Sequence, residues 1–233
     1  MNWFANAWEQ FRLAFLEKDR YEAYLRGFGT TLEVSLFAVL LGVALGLILA
    51  IAKYMAANHK RFRPLGWIAN IYITIIRGTP VYVQMLIIYY IIMTSRDTSA
   101  VFAGVLCFGI NSSAYVAEII RAGIEAVDRG QMEAGRSLGL SEMQTMIQII
   151  MPQAVRNILP ALGNEFIVLI KETAVIGSIA VLDVTQVARN IGNGNYRYLP
   201  PLLIAAVMYL AVVIILTKFL GMLERRLAKS DRR

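Results

Sequence analysis

Charge, cysteine and histidine are scarce in this sequence. Only 17% of its 233 residues are charged while 58% are hydrophobic, and such a composition lies outside the usual range of soluble domains. The single cysteine, Cys107, stands in an apolar run, and the single histidine, His59, stands in a basic segment. A disulfide framework and a His/Cys metal cluster within the chain are therefore excluded.

A phosphate-binding loop is also missing. No G-x-x-x-x-G-K-[ST] stretch occurs in the chain, so it offers no glycine-rich cradle of this kind for the phosphates of ATP. The N-terminus lacks the basic start, apolar run and small-residue cleavage site of a secretory signal, and we expect it to be retained. No internal repeat and no low-complexity segment is evident.

Five apolar runs make up much of the chain. Their lengths are close to the ~20 residues that a helix needs to cross a bilayer. We therefore predict an all-α membrane protein with five transmembrane helices in one domain, residues 1–233. Pro80 interrupts the second run and predicts a kinked or restarted helix there. The runs are Val34–Ala52, Ile71–Met93, Ala100–Ala117, Ile158–Leu182 and Leu199–Thr217.

The segment before the first run, residues 1–25, carries aromatic residues three or four positions apart. This spacing predicts one aromatic face of a short helix. Such a helix is suited to the headgroup level of a membrane, and it is equally suited to capping the helix bundle. The aromatic residues are Phe4, Trp8, Phe11 and Phe15.

The distribution of Lys and Arg predicts the orientation. With five spans, one face of the membrane carries fourteen Lys and Arg residues and the other carries seven. Because cytoplasmic loops are enriched in these residues, the N-terminus is predicted outside and the C-terminus in the cytoplasm. The net charge of +7 is explained by these loops and does not indicate nucleic-acid binding.

A polar segment, Glu133–Pro152, interrupts the apolar pattern between the third and fourth runs. It is as long as a span but carries Glu133, Arg136 and Glu142, so it cannot face lipid. Its predicted location is a cytoplasmic loop, residues 128–152.

Two short helices are predicted in this loop. Asp128 with Gln131, and Ser141 with Gln144, each match a side-chain cap followed three residues later by Gln. Gly139 lies between them and can adopt the left-handed conformation that ends a helix. The result is a helix, a sharp corner and a second helix.

The two helices differ in character. The second is predicted to pack its apolar face on the bundle, whereas the first, with its small Ala134 and Gly135, stands out. On the residues alone, the first helix is either a docking element for a soluble partner or a solvated loop. The predicted apolar face of the second consists of Leu140, Met143, Ile147 and Ile150.

The spacing within this loop resembles a known family. It looks like the cytoplasmic signature loop of permease subunits of binding-protein-dependent ABC importers, with Gly135 at a usual Ala position and Met151 at a usual Leu position. The segment Arg77–Gln84, "RGTPVYVQ", is similar to the corresponding segment of polar amino acid permeases. The similarity runs from about Gly29 to Leu223. The matching loop residues are Glu133, Ala134, Gly135, Gly139, Ile149, Met151 and Pro152.

The resemblance implies a fold, partners and a role for the loop. The fold is the five-span type I importer fold, and the loop is a coupling helix that sits in a cleft of a cytoplasmic ATPase. The chain acts beside a second permease subunit, identical or different, over two ATP-binding cassette subunits, and receives substrate from an extracytoplasmic binding protein. ATP and Mg are bound by the ATPase, so this chain needs no cofactor. The implied coupling residues are Glu133, Ala134, Gly135 and Gly139.

Charges inside the fourth run point to a site in the membrane. Glu165, Lys171 and Glu172 together cost roughly 8 to 10 kcal/mol in a lipid-facing span, so the helix must be sheltered by protein. Glu165 and Glu172 are seven residues apart and share one helical face. This acidic stripe is either a path for zwitterionic or cationic amino acids or an ion-pair set with Lys171 or Arg77. Gln84, seven residues after Arg77, joins the candidate path.

Two other function classes compete with an importer subunit. A secondary transporter driven by an ion gradient would use the intramembrane carboxylates, but such proteins usually show inverted repeats. An intramembrane enzyme needs a nucleophile with a base, or a metal set, which the chain does not supply. The importer subunit, itself not an enzyme, is the leading hypothesis.

Overall fold

A computed structural model of the chain describes residues 3–92 and 99–230. These residues form helices joined by short turns, and none of the described residues lies in a β-strand. The ten α-helices of this part of the chain are α1 Trp3–Phe11, α2 Arg20–Asn58, α3 Arg63–Gly78, α4 Val81–Ile92, α5 Ala100–Glu125, α6 Arg129–Ser137, α7 Glu142–Thr145, α8 Met151–Glu172, α9 Val184–Asn195 and α10 Leu199–Ser230.

The helices α2, α5 and α10 are longer than the apolar runs within them. Charged and polar residues continue each helix beyond the lipid-compatible part, as in α2, which has 39 residues. By length and composition, three helices of the described part can cross a membrane, or four if the bent pair α3 and α4 counts as one span. The predicted fourth run, Ile158–Leu182, begins within α8 and continues past its end at Glu172 into a 3₁₀ segment, Thr173–Ile179. Helix α8 is not among the helices that are long and apolar enough to cross a membrane.

The break between α3 and α4 lies where Pro80 predicts it. The first helix ends at Gly78, Thr79 is extended, and the second begins at Val81. Pro80 has no N–H to donate and disfavours helix at the preceding residue. The predicted restart of the helix is confirmed.

Residues 3–25 form four consecutive pieces rather than one helix. After α1 come a π-helical turn, Arg12–Leu16, and a 3₁₀ turn, Glu17–Asp19, in which Lys18 and Asp19 have positive φ. Residues 20–25 already belong to α2. Trp8 is exposed, whereas Phe15 stacks on Phe11 and lies 5.8 Å from the ring of Tyr24.

The chain divides into two compact units. Unit 1 comprises residues 1–38, 81–108 and 167–216, and unit 2 comprises residues 39–80, 109–166 and 217–233. In unit 1, the first half of α2 packs with α9 and α10 around Tyr24, Val184 and Ala205. The hydroxyl of Tyr24 donates to the carbonyl oxygen of Pro201 at 3.3 Å.

Asp183 fixes the start of α9 within unit 1. Its carboxylate accepts from the backbone N–H groups of Thr185 and Gln186, at 3.0 and 2.9 Å, and from the hydroxyl of Tyr209 at 3.2 Å. Burial raises the pKa of Asp183, and the two backbone donors oppose that shift because they favour the charged form. The fully buried carboxylate is thereby satisfied at a helix N-terminus.

Unit 2 is built on a close contact between α2 and α5. A Cβ on Gly42 would lie 2.8 Å from Ser112, and one on Gly46 would lie 2.6 Å from Val116. The two glycines therefore allow close contact between these helices. A larger cluster of unit 2 joins α2 and α5 to the α7–α8 segment, with Val116, Ile120, Met146, Ile150, Ala154 and Ile158 in its buried part.

Candidate functional site

The polar loop begins with a capped helix, α6. The side chain of Asp128 accepts from the N–H of Gly130 at 2.7 Å, so Asp128 is the N-cap that the sequence predicts. Gln131 contributes differently from the prediction, because its backbone N–H bonds to the carbonyl of Asp128. The acidic cap satisfies an N–H group that has no partner within the helix.

Gly139 ends α6 in a left-handed conformation with φ +84°. The N–H of Leu140 bonds to the carbonyl of Gly135 at 3.1 Å, and the N–H of Gly139 bonds to that of Arg136 at 3.0 Å. This pair of bonds is the Schellman motif. The guanidinium of Arg136 also donates to the carbonyl of Leu140 at 2.9 Å. This bond is a further link across the predicted corner.

The second helix begins at Ser141 with a complete capping box. The hydroxyl of Ser141 accepts from the N–H of Gln144, and the side chain of Gln144 accepts from the N–H of Ser141. The helix then passes through a π-helical turn, Met146–Ile150, directly into α8. The second helix of the loop and the predicted fourth span are therefore consecutive parts of one helical segment.

The predicted apolar face of this second helix is wrong in part. Ile150 is buried, but Met143 and Ile147 have exposed fractions of 62% and 59%. The buried side chains are instead Thr145 and Met146, with Ile150. A π-helical turn holds more residues than an α-helical turn, so the residues before it do not keep the face of those after it.

Gly135 packs α6 against the second helix. A Cβ at this position would lie 2.5 Å from Cγ2 and 2.8 Å from Oγ1 of Thr145, and 3.2 Å from Cδ1 of Ile149. In the sequence, Gly135 stands at a position where the family usually has Ala. In the structure, a Cβ at this position would crowd Thr145. The other predicted coupling residues are exposed: Glu133 and Ala134 on α6 and Gly139 at its end.

A small polar cavity of about 310 Å³ lies beside α6 in unit 2. The hydroxyl of Tyr54, near the end of α2, donates to the carboxylate of Glu142 at 3.3 Å. This bond ties α2 to the start of the second helix. The cavity was not predicted, because its lining comes from three separate parts of the sequence: Tyr54, Asn58, Met132, Arg136, Glu142 and Met146.

Glu165 is the buried carboxylate of the predicted acidic stripe. It belongs to unit 2 and accepts a hydrogen bond from Ser112 of α5 at 2.8 Å. Glu172, half-buried, and Gln84, buried, belong to unit 1. Ser112 is a partner that the sequence does not reveal, since it is 53 residues away from Glu165.

Arg77 and Glu118 belong to an ionic cluster at the end of α5 in unit 2. Glu118 lies 2.6 Å from Lys53, 2.9 Å from Arg121 and 3.9 Å from Arg77. The guanidinium of Arg77 also stands over the ring of Tyr115, 5.3 Å from its centroid. Glu118 therefore links α2, α3 and α5 through ion pairs.

Comparison with known proteins shows relatives along most of the chain. Residues 34–229 match the family described as binding-protein-dependent transport system inner membrane component. The arginine transport system permease protein ArtQ of Bacillus subtilis is 39% identical over 209 residues, which are 89% of this chain and 93% of that protein. A putative glutamine transport system permease protein, GlnP of Rickettsia typhi, is 40% identical over 205 residues, 87% of this chain and 92% of that protein.

Solved structures show the same fold. The crystal structure of an amino acid ABC transporter with histidines matches with a TM-score of 0.84 and 45% identity, covering 91% of this chain and 98% of that one. An inward-facing structure of the MetNI methionine ABC transporter matches with a TM-score of 0.74 and 19% identity, covering 91% of this chain and 99% of that one. At 19% identity, the likeness concerns the fold alone. The predicted all-α importer-permease fold is confirmed.

Proposed function

The chain belongs to the family of inner-membrane components of binding-protein-dependent transport systems, and we propose from this membership that it is the permease subunit of an ATP-driven importer of polar amino acids. The proposal is carried by relatives that match along most of their length and whose names specify arginine and glutamine transport. A third relative, the L-cystine transport system permease protein TcyB of Bacillus subtilis, is 36% identical over 84% of this chain. Side chains of these substrates differ, but all carry an α-ammonium and a carboxylate.

In this proposal α6 is the contact for a separate ATPase, which binds ATP and Mg. Glu133 and Ala134 are exposed, while Gly135 packs against Thr145. The Schellman corner at Gly139 joins α6 to the segment that continues into α8. A displacement of α6 by the ATPase would therefore be transmitted to a long helix and bias it between two arrangements.

Glu165 is the proposed contact for the substrate's α-ammonium or cationic side chain. A buried carboxylate forms charge-assisted hydrogen bonds that are stronger in a low-dielectric cavity than in water. Ser112 of α5 donates a hydrogen bond to this carboxylate at 2.8 Å. Arg77, Gln84 and Glu172 are the further candidates for substrate contact that the sequence suggests.

The proposed assembly has two permease subunits, two ATP-binding cassette subunits and an extracytoplasmic binding protein. The N-terminus faces outward and the C-terminus faces the cytoplasm. This orientation is supported by the Lys and Arg distribution and places α6 on the same side as the soluble ATPase.

Uptake by a reconstituted complex tests the function. The permease, its ATPase and its binding protein are placed in vesicles, and entry of labelled arginine, glutamine and cystine is followed with and without ATP. We expect uptake that needs ATP and survives ionophores that collapse ion gradients. Uptake without ATP that ionophores abolish would instead establish a secondary transporter.

A further inference from the structure

A cluster of basic side chains joins α2 to α3. Lys60 and Arg61 lie in a 3₁₀ turn between the two helices, and Arg63 is the first residue of α3. All three side chains are exposed, and the ion pairs found among residues 3–92 and 99–230 involve none of them. We call these three residues the α2–α3 basic cluster.

The stretch of sequence on either side of the cluster contains no acidic residue. No Asp or Glu occurs between Glu33 and Asp97. The cations of the α2–α3 basic cluster therefore have no acidic neighbour on α3, on the second half of α2 or on the turn between them. Glu142 of the loop's second helix, bonded to Tyr54, lies near the end of α2, so it is the α2–α3 segment itself that is positively charged.

The cluster is held near the membrane surface by a short connection. Only residues 59–62 separate the end of α2 at Asn58 from the start of α3 at Arg63. Four residues reach at most about 14 Å even when fully extended. Because α2 can cross a membrane and α3 begins a broken span, the cations cannot move far from the lipid headgroups.

The first turns of α3 present apolar and aromatic side chains beside these cations. Trp67 follows Arg63 by four residues, so the two share one face of the helix. Its exposed fraction is 68%, and Leu65 and Ile68 are exposed as well. Trp is typical of the membrane interface, where its ring lies at the headgroup level with apolar neighbours below it.

We propose that the α2–α3 basic cluster and Trp67 form a binding surface for the headgroups of anionic phospholipids. Clusters of Lys and Arg directly beside a transmembrane helix attract anionic lipids, and here they stand at the end of a helix whose other side exposes Leu65 and Ile68. Lipid surrounding the end of α3 would cover these apolar side chains as well as meet the cations, whereas a soluble acidic partner on the basic side would leave Leu65 and Ile68 exposed. The proposal does not depend on the transported substrate.

Quenching of Trp67 by brominated lipids tests the surface directly. The chain has three tryptophans, so a full-length Trp3→Phe/Trp8→Phe variant leaves Trp67 as the single reporter. This chain is placed in phosphatidylcholine vesicles with an equal mole fraction of brominated phosphatidylglycerol or brominated phosphatidylcholine. We expect stronger quenching by the anionic lipid at low salt, and a difference that shrinks as salt screens the charges.

A matched pair of double variants identifies the cations responsible. Each cation near the surface contributes up to about five-fold in local anionic lipid concentration, so Arg61→Gln/Arg63→Gln should remove most of the difference between the two lipids. The control Arg189→Gln/Arg197→Gln removes two exposed arginines outside the cluster. It should leave the difference in quenching between the two lipids unchanged. Single variants Arg61→Gln and Arg63→Gln give intermediate differences and serve if the double variant inserts poorly.

Two outcomes would overturn the proposal. One is equal quenching by both lipids in the chain with all its cations. The other is an unchanged lipid difference in Arg61→Gln/Arg63→Gln. If that variant also loses an ATPase subunit that the control retains, the cluster belongs to a protein interface.

Discussion

At the scale of single residues, Gly135 tests how tightly α6 is packed. A methyl group there would lie 2.5 Å from Cγ2 of Thr145. Overpacking costs about 1 to 3 kcal/mol, which exceeds the ~1 kcal/mol that Ala gains over Gly in a helix. We expect Gly135→Ala to lower the thermal stability of the complex. Adding Thr145→Ala should recover it, and a double-mutant cycle in which the two effects simply add would contradict the packing contact.

Glu133 tests the docking of α6. Its side chain is exposed, so Glu133→Lys should leave insertion and folding unchanged but uncouple substrate-stimulated ATP hydrolysis. Glu224→Lys, an equally exposed reversal on α10, is the control and should remain coupled. Both variants are compared by assembly on a sizing column and by ATPase activity with and without loaded binding protein. Normal coupling in Glu133→Lys would show that α6 does not form the proposed contact with the ATPase.

A substitution at Glu165 distinguishes a substrate contact from a purely structural role. Glu165→Gln keeps the side-chain volume and an acceptor for Ser112. If Glu165 contacts substrate, the complex assembles with basal ATPase activity while transport is lost or changes selectivity. If it instead neutralises a buried cation, removal of its charge costs ~3 to 5 kcal/mol. Loss of thermal stability with normal transport by the surviving fraction would assign Glu165 to the scaffold.

At the scale of elements, the corner between α6 and the second helix rests on Gly139. With φ at +84°, a Cβ strains the backbone by about 1 to 2 kcal/mol. Gly139→Ala should weaken coupling and make the loop more sensitive to limited proteolysis. Gly139→Asn should be milder, because Asn tolerates the left-handed region. Equal effects of Ala and Asn would show that this conformation is not what the position requires.

The elements themselves were predictable to different degrees. Pro80 and Gly139 act on the backbone at their own positions, so the helix break and the corner follow from the sequence. The buried face of the second helix does not, because the π-helical turn Met146–Ile150 shifts the face on which Met143 and Ile147 were expected. Regular spacing predicts a face only where the helix is regular.

At the scale of the whole molecule, the orientation in the membrane is the main prediction. In a Cys107→Ala background, a membrane-impermeant thiol reagent applied from outside should label Asn190→Cys but not Lys60→Cys or Ser230→Cys. Positions 60 and 190 are exposed, so lack of labelling reports sidedness rather than burial. In permeabilised cells the reagent should label all three positions, which provides the control. The reverse pattern in intact cells would invert the topology.

The sequence by itself determined the membrane class, the helix break at Pro80 and the capped corner around Gly139. Each depends on composition or on groups within a few residues of one another. Only the tertiary structure decided which distant side chains meet: Ser112 with Glu165, and Lys53 with Glu118. It also decided that Gly135 must lack a side chain, because Thr145 fills that space. Such contacts depend on how helices pack, and helical periodicity fixes the face of a residue but not its partner.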